Sequence, residues 1–449
     1  MSDSLIEELP KIISRGKKVA QRILDDISSE HRITLQTNEF VLPTKAASGL
    51  SEYFGQSTKE SHDQKWTNRM IYGDNLLAMQ ALLAGDPKTG LSSMRGKIDL
   101  IYIDPPFDSK ADYRTKIHLP NTDIEQQPRV IEQFAYADTW KDGTVSYLEM
   151  MIVRLILMKE LLSEKGSIYI HIDWHVGHYV KIIMDEIFGR DHFVNEIIWH
   201  YIIGASGNST FGRKHNTIFW YSKTDNYIFN RDAIAVPYNP ETIARAKRGE
   251  ARYSVDATDL EKKGKNPGDV WSDLHPIQGN SIENVQFPTQ KPKALLKRIL
   301  LASSNPDSIV ADFFAGSGSL GSVAEENNRK WILADLGKPA FMIMRKRLID
   351  QESKPFLYHS IGDYQKEQFE QSFKGTISDL AHVVVNLYGA LPFPAQEGNP
   401  NNLGYIKQSK TLVFVDSPSK LTGYNTLKKA QELRSSFMGG WNKVIILAW

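Results

Sequence analysis

Two clusters in this 449-residue chain have the residue types and spacing to do chemistry. The first is Asp104-Pro105-Pro106-Phe107, directly after the apolar run Ile98 to Ile103. Proline has no N–H and two in succession end a strand or helix, so the chain must turn here. The turn leaves the carbonyls of Asp104 and Pro105 able to face outward as acceptors beside the Asp104 carboxylate, and Phe107 adds a flat aromatic face. Such a set suits an exocyclic amine on a planar ring, held by its NH2 group and stacked on the aromatic. Taken alone, the same residues also describe an ordinary Asp-Pro turn.

The second cluster lies far downstream. Ser308 to Gly321 runs from an apolar strand through Phe314-Ala315-Gly316-Ser317-Gly318 into a helix, and Gly316, Gly318 and Gly321 satisfy G-x-G-x-x-G. Small residues there let the backbone approach a nucleotide and let helix pack on strand. A helix from Ser319 to Asn327 and a short strand from Lys330 to Ala334 follow, ending in Asp335, an acidic residue about 20 positions beyond the first glycine and placed to accept from ribose hydroxyls. No Gly-Lys-Ser/Thr follows the glycines, which disfavours a phosphate-gripping loop. The nucleotide must then be held by shape and by Asp335, and on these residues NAD and S-adenosylmethionine fit equally.

The elements that position both clusters are strands alternating with helices. Helical spacing from Val145 to Leu162 leads into a strand at Ser167 to Ile172, then a helix at Val176 to Phe188, and strands at Phe193 to Tyr201 and Thr217 to Ser222. This alternation predicts a three-layer α/β sheet, mostly parallel, with ligands at the carboxyl ends of its strands, and both clusters fall at such ends. His171, Asp173 and His175 form an H-x-D-x-H run where a strand meets a loop; without a second ligand cluster, they read as cleft-rim or satisfied polar groups, and no metal site is assigned.

A D-P-P-Y/F motif followed by F-x-G-x-G resembles the amino-directed DNA methyltransferases, which modify exocyclic nitrogens. The order, Asp104-Pro105-Pro106-Phe107 before Phe314-Ala315-Gly316-Ser317-Gly318, is similar to the permuted β-group, which includes type III restriction Mod subunits and solitary adenine methyltransferases. The resemblance runs roughly from Asn68 to Leu348. It implies a Rossmann-like S-adenosylmethionine-dependent methyltransferase fold with an antiparallel hairpin at the sheet edge. Asp74, ending Arg69 to Asn75, matches the aspartate near the donor's adenine. Phe287-Pro288-Thr289-Gln290-Lys291-Pro292 is similar to the segment that closes over the donor's methionine end, where a lysine such as Lys291 suits the donor's carboxylate. The resemblance assigns Asp74, Thr289, Lys291, Phe314, Gly316, Ser317, Gly318 and Asp335 to the donor, and Asp104, Pro105, Pro106 and Phe107 to catalysis. Phe107 stands where tyrosine is commoner; stacking is kept and a hydroxyl is lost. Asp104 favours adenine N6 over cytosine N4, since N4 relatives usually carry Ser, and over a protein glutamine target, which calls for Asn. Flipping of the base out of the duplex is implied. Double-stranded DNA is the expected partner, with a homodimer and a restriction subunit as further candidates. Two readings of other classes stay open: a nicotinamide oxidoreductase, which leaves Asp104 to Phe107 unexplained, and a noncatalytic donor-binding recognition subunit.

Composition bounds the rest. At 41% hydrophobic and 24% charged the chain can bury a large core, and its net charge of +1 exerts no global pull toward nucleic acid. Zero cysteines exclude disulfides, zinc-cysteine sites and thiol catalysis. The absence of a signal peptide or apolar span predicts a cytoplasmic location and no membrane partner. Basic and aromatic residues between Asp232 and Glu283 (Arg245, Lys247, Arg248, Arg252, Lys262, Lys263 and Lys265 with Tyr238, Tyr253 and Trp271) make that stretch a candidate DNA-facing insert, and the loop Asp108 to Trp140 is a second. The expected organisation is an N-terminal helix and linker (1–66), a methyltransferase domain (67–350) and a small C-terminal α/β appendage (351–449). The apolar end Val444 to Trp449 suggests a truncated chain.

Overall fold

The computed structural model describes residues 4–27, 33–43, 66–86, 91–105, 115–119, 122–126, 143–201, 209–250, 257–287, 289–361, 381, 384–385, 388, 390–393, 402–416 and 424–447. Pro106 and Phe107, most of the Asp108 to Trp140 loop, and Pro288 lie outside them. The chain divides into two compact units, residues 1–362 and 363–449.

The first unit is built on a ten-stranded sheet. Its strands are β1 (Gln36–Val41), β2 (Asn68–Gly73), β3 (Ile98–Ile103), β6 (Leu162–Ile172), β7 (Phe193–His200), β8 (His215–Ser222), β9 (Val270–Trp271), β10 (Ile309–Asp312), β11 (Lys330–Asp335) and β12 (Phe356–Ile361). They lie in the order β1-β12-β2-β11-β10-β3-β6-β8-β7-β9, while β4 (Thr115–Leu119) and β5 (Thr122–Gln126) pair separately. From β12 through β6 every neighbouring pair is parallel. Strand β8 runs against both β6 and β7. The hairpin β7/β8 thus sits one strand in from the edge, because β9 adds to β7 in parallel.

The central strands read as near-continuous apolar runs because both faces are covered. Ile101, Ile103, Ile168 and Ile170 bury against residues of the helices Asn75–Ala84, Thr144–Leu161 and Gly177–Phe188. On the opposite face Leu100, Tyr102, Tyr169, Val310 and Leu333 pack with residues of Lys293–Ser303, Ser319–Glu326 and Lys338–Asp350. The helix Leu5–Asp26 joins the first of these layers: a Cβ on Gly16 would lie 2.3 Å from the Ile152 side chain, so the helix packs closely there because the residue is glycine.

The topology fixes where a ligand can enter. The chain leaves β3 toward β6 on one side and leaves β10 toward β11 on the other, so β3 and β10 are neighbours whose connections diverge. In open parallel sheets a crevice opens at the carboxyl ends of such a pair.

The second unit carries β13 (Leu391–Pro392), β14 (Leu403–Ile406), β15 (Thr411–Val415) and β16 (Lys443–Leu447) in that spatial order, with β15 fully buried and parallel to β16, and a helix Tyr424–Ser436. Among the described residues no helix is long and apolar enough to cross a membrane.

Candidate active site

Strands β3 and β10 pair in parallel through Leu100 with Val310 and Ile101 with Ala311. Asp104, one residue past β3, and the turn after Asp312 therefore emerge side by side although about 200 positions separate them in the chain. The glycine turn is stereochemically demanding. Gly316 and Gly318 have φ of +50° and +71°, and a Cβ on Gly318 would come within 2.5 Å of Met344 Cγ. Gly321 lies against β11, where a Cβ would be 2.3 Å from Leu333 Cδ1, so a larger residue there would have to displace the Leu333 side chain for the helix Ser319–Glu326 to rest on the sheet.

Asp335 braces that turn. Its Oδ2 accepts from the Gly316 N–H and its Oδ1 from the Gly337 N–H, each at 2.7 Å. Phe314 donates its N–H to Asp312 Oδ1 at 2.9 Å and is half-buried against the core. Ser317 is buried, its hydroxyl 3.1 Å from that of Ser319 and its carbonyl accepting from Arg347.

Asp74 caps the helix Asn75–Ala84, accepting from Leu76 N–H at 2.7 Å, and also accepts from Arg154 at 2.9 Å. Arg154 donates a second bond to Asn75 Oδ1 (2.6 Å), and Asn75 in turn donates to the Phe313 carbonyl (2.8 Å). This chain ties the end of β2 to the end of β10. Its keystone escaped the sequence reading, because Arg154 sits in a helix whose pattern reads as core; the signal was a lone cation in a run of buried apolar residues.

Lys291 is brought to the cleft by a loop that bonds to itself. Gln290 accepts from Val285 N–H (2.9 Å) and donates to the Glu283 carbonyl (2.7 Å), while Glu283 accepts from the Lys293 N–H at the start of the helix Lys293–Ser303. Thr289 is exposed with φ +66°, a strained conformation for a β-branched residue, and its carbonyl accepts from Lys291 Nζ at 3.2 Å. The main partner of Lys291 Nζ is Asp104 Oδ2. The structure thus sets this ammonium on the carboxylate at the end of β3. The other oxygen, Asp104 Oδ1, is buried and has no hydrogen-bond partner among the described residues. Pro105 is buried; Pro106 and Phe107 lie outside the described residues.

The electrostatics follow from this crowding. Burial pushes the Asp104 carboxyl above its usual value, and Lys291 pulls it part of the way back. Asp312 is held well above the usual range by burial; its bond from Phe314 N–H opposes the shift, Asp104 and Asp335 add to it, and Lys291 opposes it again. Behind them Tyr102 hydroxyl lies 2.8 Å from His171 Nδ1, whose Nε2 is 3.0 Å from Asn216 Nδ2, with Tyr201 donating to Asn216 Oδ1 (3.2 Å). Burial, reinforced by Lys291, keeps His171 neutral. The H-x-D-x-H run therefore divides: His171 is buried in this network, while Asp173 and His175 pair with each other in the turn beyond β6. Among the described residues no cluster of metal-ligating side chains occurs.

Three of the six described cations in the 232–283 stretch face acidic neighbours: Lys247 with Glu261 (2.7 Å), Arg248 with Glu250 (3.0 Å) and Lys263 with Asp259 (3.2 Å). Arg252 and Tyr253 lie outside the described residues.

At the divergence point of the parallel sheet the structure brings together a backbone-bonding aspartate, a glycine turn and a carboxylate with one oxygen unpartnered among the described residues, an arrangement that suits nucleotide-type group transfer. Residues 98–346, more than half of the chain, match the N6/N4 DNA methylase family, and the chain belongs to that family. It is 30% identical to the type II methyltransferase M.EcaI of Enterobacter cloacae, over 62% of this chain and 69% of that one. It is 28% identical to the DNA adenine methyltransferase YhdJ of Escherichia coli, over 60% and 82%. Against the StyLTI Mod subunit of a type III restriction-modification enzyme of Salmonella typhimurium it is 26% identical, over 58% and 49%.

Proposed function

We propose that this chain is a DNA methyltransferase that uses S-adenosylmethionine to methylate the N6 amine of adenine in double-stranded DNA. The observation that carries the reading is Asp104: a partly buried carboxylate at the divergence point, one oxygen on Lys291 and the other buried without a partner among the described residues, beside the glycine turn of β10.

The residues present fit the donor. Gly316 and Gly318 form a cradle that side chains would fill, Asp335 holds that cradle, and Asp74 lies across the same edge. When bound, S-adenosylmethionine supplies an electrophilic methyl group. The chain's own task is geometry, because the adenine amine has its lone pair delocalised into the ring. Asp104 Oδ1 accepts one amine N–H and the Pro105 carbonyl the other, which localises the lone pair and aims it. Lys291, on Oδ2, favours the ionised carboxylate and so opposes part of the effect of burial. The raised Asp104 value also makes this carboxylate a better acceptor for the proton that the amine must lose. Pro106 and Phe107 keep the roles that the motif assigns them, turn and stacking face. Extraction of the base from the duplex costs about a few kcal/mol, offset in part by that stacking.

Transfer of labelled methyl from S-adenosylmethionine to DNA, with hydrolysis and chromatography of the product nucleosides, tests the reading. N6-methyladenine is the expected product; N4-methylcytosine would correct the target, and binding of NAD without S-adenosylmethionine in titration calorimetry would overturn the proposal. Asp104→Ala is expected to lower turnover roughly 100- to 1,000-fold, the scale of a lost transition-state hydrogen bond, with donor affinity retained. A restriction subunit is proposed as partner on the likeness to a Mod subunit, a homodimer as the assembly and the cytoplasm as location. Sedimentation of the purified chain tests the dimer.

A further inference from the structure

The rim beside Asp104 carries an exposed aromatic and cationic surface to which the methyl-transfer reading gives no role. Strand β6 is the parallel neighbour of β3, with Ile103 paired to Ile170, so the turn after β6 opens on the same edge as Asp104. In that turn Asp173 accepts from both the backbone N–H and the ring of His175, which fixes the His175 ring 3.6 Å, centroid to centroid, from Trp174. Arg213, from the segment leading into β8, lays its guanidinium 3.8 Å from the centre of the Trp174 ring. Trp174 is nonetheless 45% exposed, and Phe211, two residues before Arg213, is fully exposed.

Two large aromatics in water need a reason, since neither contributes much to the core. The segment Phe211-Gly212-Arg213-Lys214-His215-Asn216 contains no acidic residue, unlike the 232–283 stretch, and its cations complement a phosphate backbone. It is also fixed to the site, because Asn216 is bonded to His171 inside the sheet.

We propose that Trp174, Phe211 and Arg213 form the surface on which duplex DNA seats beside the catalytic crevice, the two aromatics stacking on bases next to the target and Arg213 on a backbone phosphate. The proposal rests on the DNA methyltransferase reading. Stacking suits this duty because every base offers a π-face, so the contact holds the distorted strand without reading its sequence.

The test uses the full chain, a fluorescent duplex of sheared bacterial DNA for binding, and methyl transfer for kinetics. Trp174→Ala and Phe211→Ala are each expected to raise the Kd and the KM for DNA roughly 5- to 150-fold, the range of a lost base-aromatic stack. The kcat at saturating DNA and the affinity for S-adenosylmethionine stay unchanged, and Trp174→Phe restores most of the binding. Arg213→Ala reduces the salt dependence of log Kd by about one ion. Exposure of both aromatics means the folded chain survives the substitutions, which an unchanged melting temperature verifies. Methyl transfer by the wild type together with wild-type DNA binding by both alanine variants would overturn this inference alone. Failure of the wild type to methylate DNA would overturn the function reading, and this surface with it.

Discussion

Lys291→Met removes the cation that faces Asp104 while keeping a flexible stem of similar length. The two side chains are 10% and 17% exposed, so solvent screens their interaction little. A cation at such a distance lowers a carboxyl pKa by about 1–3 units, and each unit is about 1.4 kcal/mol. Loss of Lys291 should therefore raise Asp104 further, on top of the lift that burial already gives it, and disfavour the ionised form. Because Asp104 must be ionised to accept the amine, activity falls as pH drops through its folded value. In Lys291→Met the acid limb of kcat/KM for DNA moves upward by about 1–3 pH units, and the rate recovers toward wild type at alkaline pH. Stability carries the matching sign. A folded carboxyl raised above its unfolded value binds protons that the unfolded chain has released, so stability is lost as pH rises between the two values. The variant's deficit in melting temperature should then be largest at alkaline pH and shrink on acidification. The assay is methyl transfer across pH with parallel melting curves. An acid limb that stays in place, with KM for S-adenosylmethionine raised equally at every pH, would refute the counter-ion role and assign Lys291 to the donor's carboxylate instead.

Gly318→Ala forces a Cβ to 2.5 Å from Met344 Cγ at φ +71°, and should cost about 1–3 kcal/mol of stability, seen as a lowered denaturation midpoint; an unchanged midpoint would mean the turn relaxes freely. Arg154→Ala strips two charge-assisted bonds from Asp74 and Asn75 and should weaken S-adenosylmethionine binding in calorimetry by about 1.5–3 kcal/mol, or roughly 10- to 150-fold; retained affinity would show that the β2 end is held without it.

What could be read from the chain itself was what local chemistry dictates. Asp104 and the glycines are legible because a strand that meets two prolines must stop, and because the positive φ of Gly316 and Gly318 favours glycine. Strand and helix assignments around β6, β10 and β11 follow from the same local rules. The pairing of Lys291 with Asp104 spans 187 positions. It depends on β3 lying next to β10, a fact of topology that no window of residues contains. The segment around Lys291 instead drew attention to the donor's carboxylate, a ligand of the opposite charge to lysine, as Asp104 also is; chemistry alone could not choose between two carboxylates. Between Asp232 and Glu283 a count of cations suggests a nucleic-acid surface, and the fold sets Glu250, Asp259 and Glu261 within reach of Arg248, Lys263 and Lys247. Those pairs are exposed and individually weak. Yet each offsets one cation of the segment, three of the six described there, whereas Arg213 stacks on Trp174, an interaction that does not neutralise its charge. Which cations remain available to DNA is thus decided by what each one touches after folding. For that reason Arg213, one cation among 54 in the sequence, gives a sharper expectation than the richer cluster: alanine in its place should change the salt dependence of DNA binding, and alanine at Lys247 should change it less.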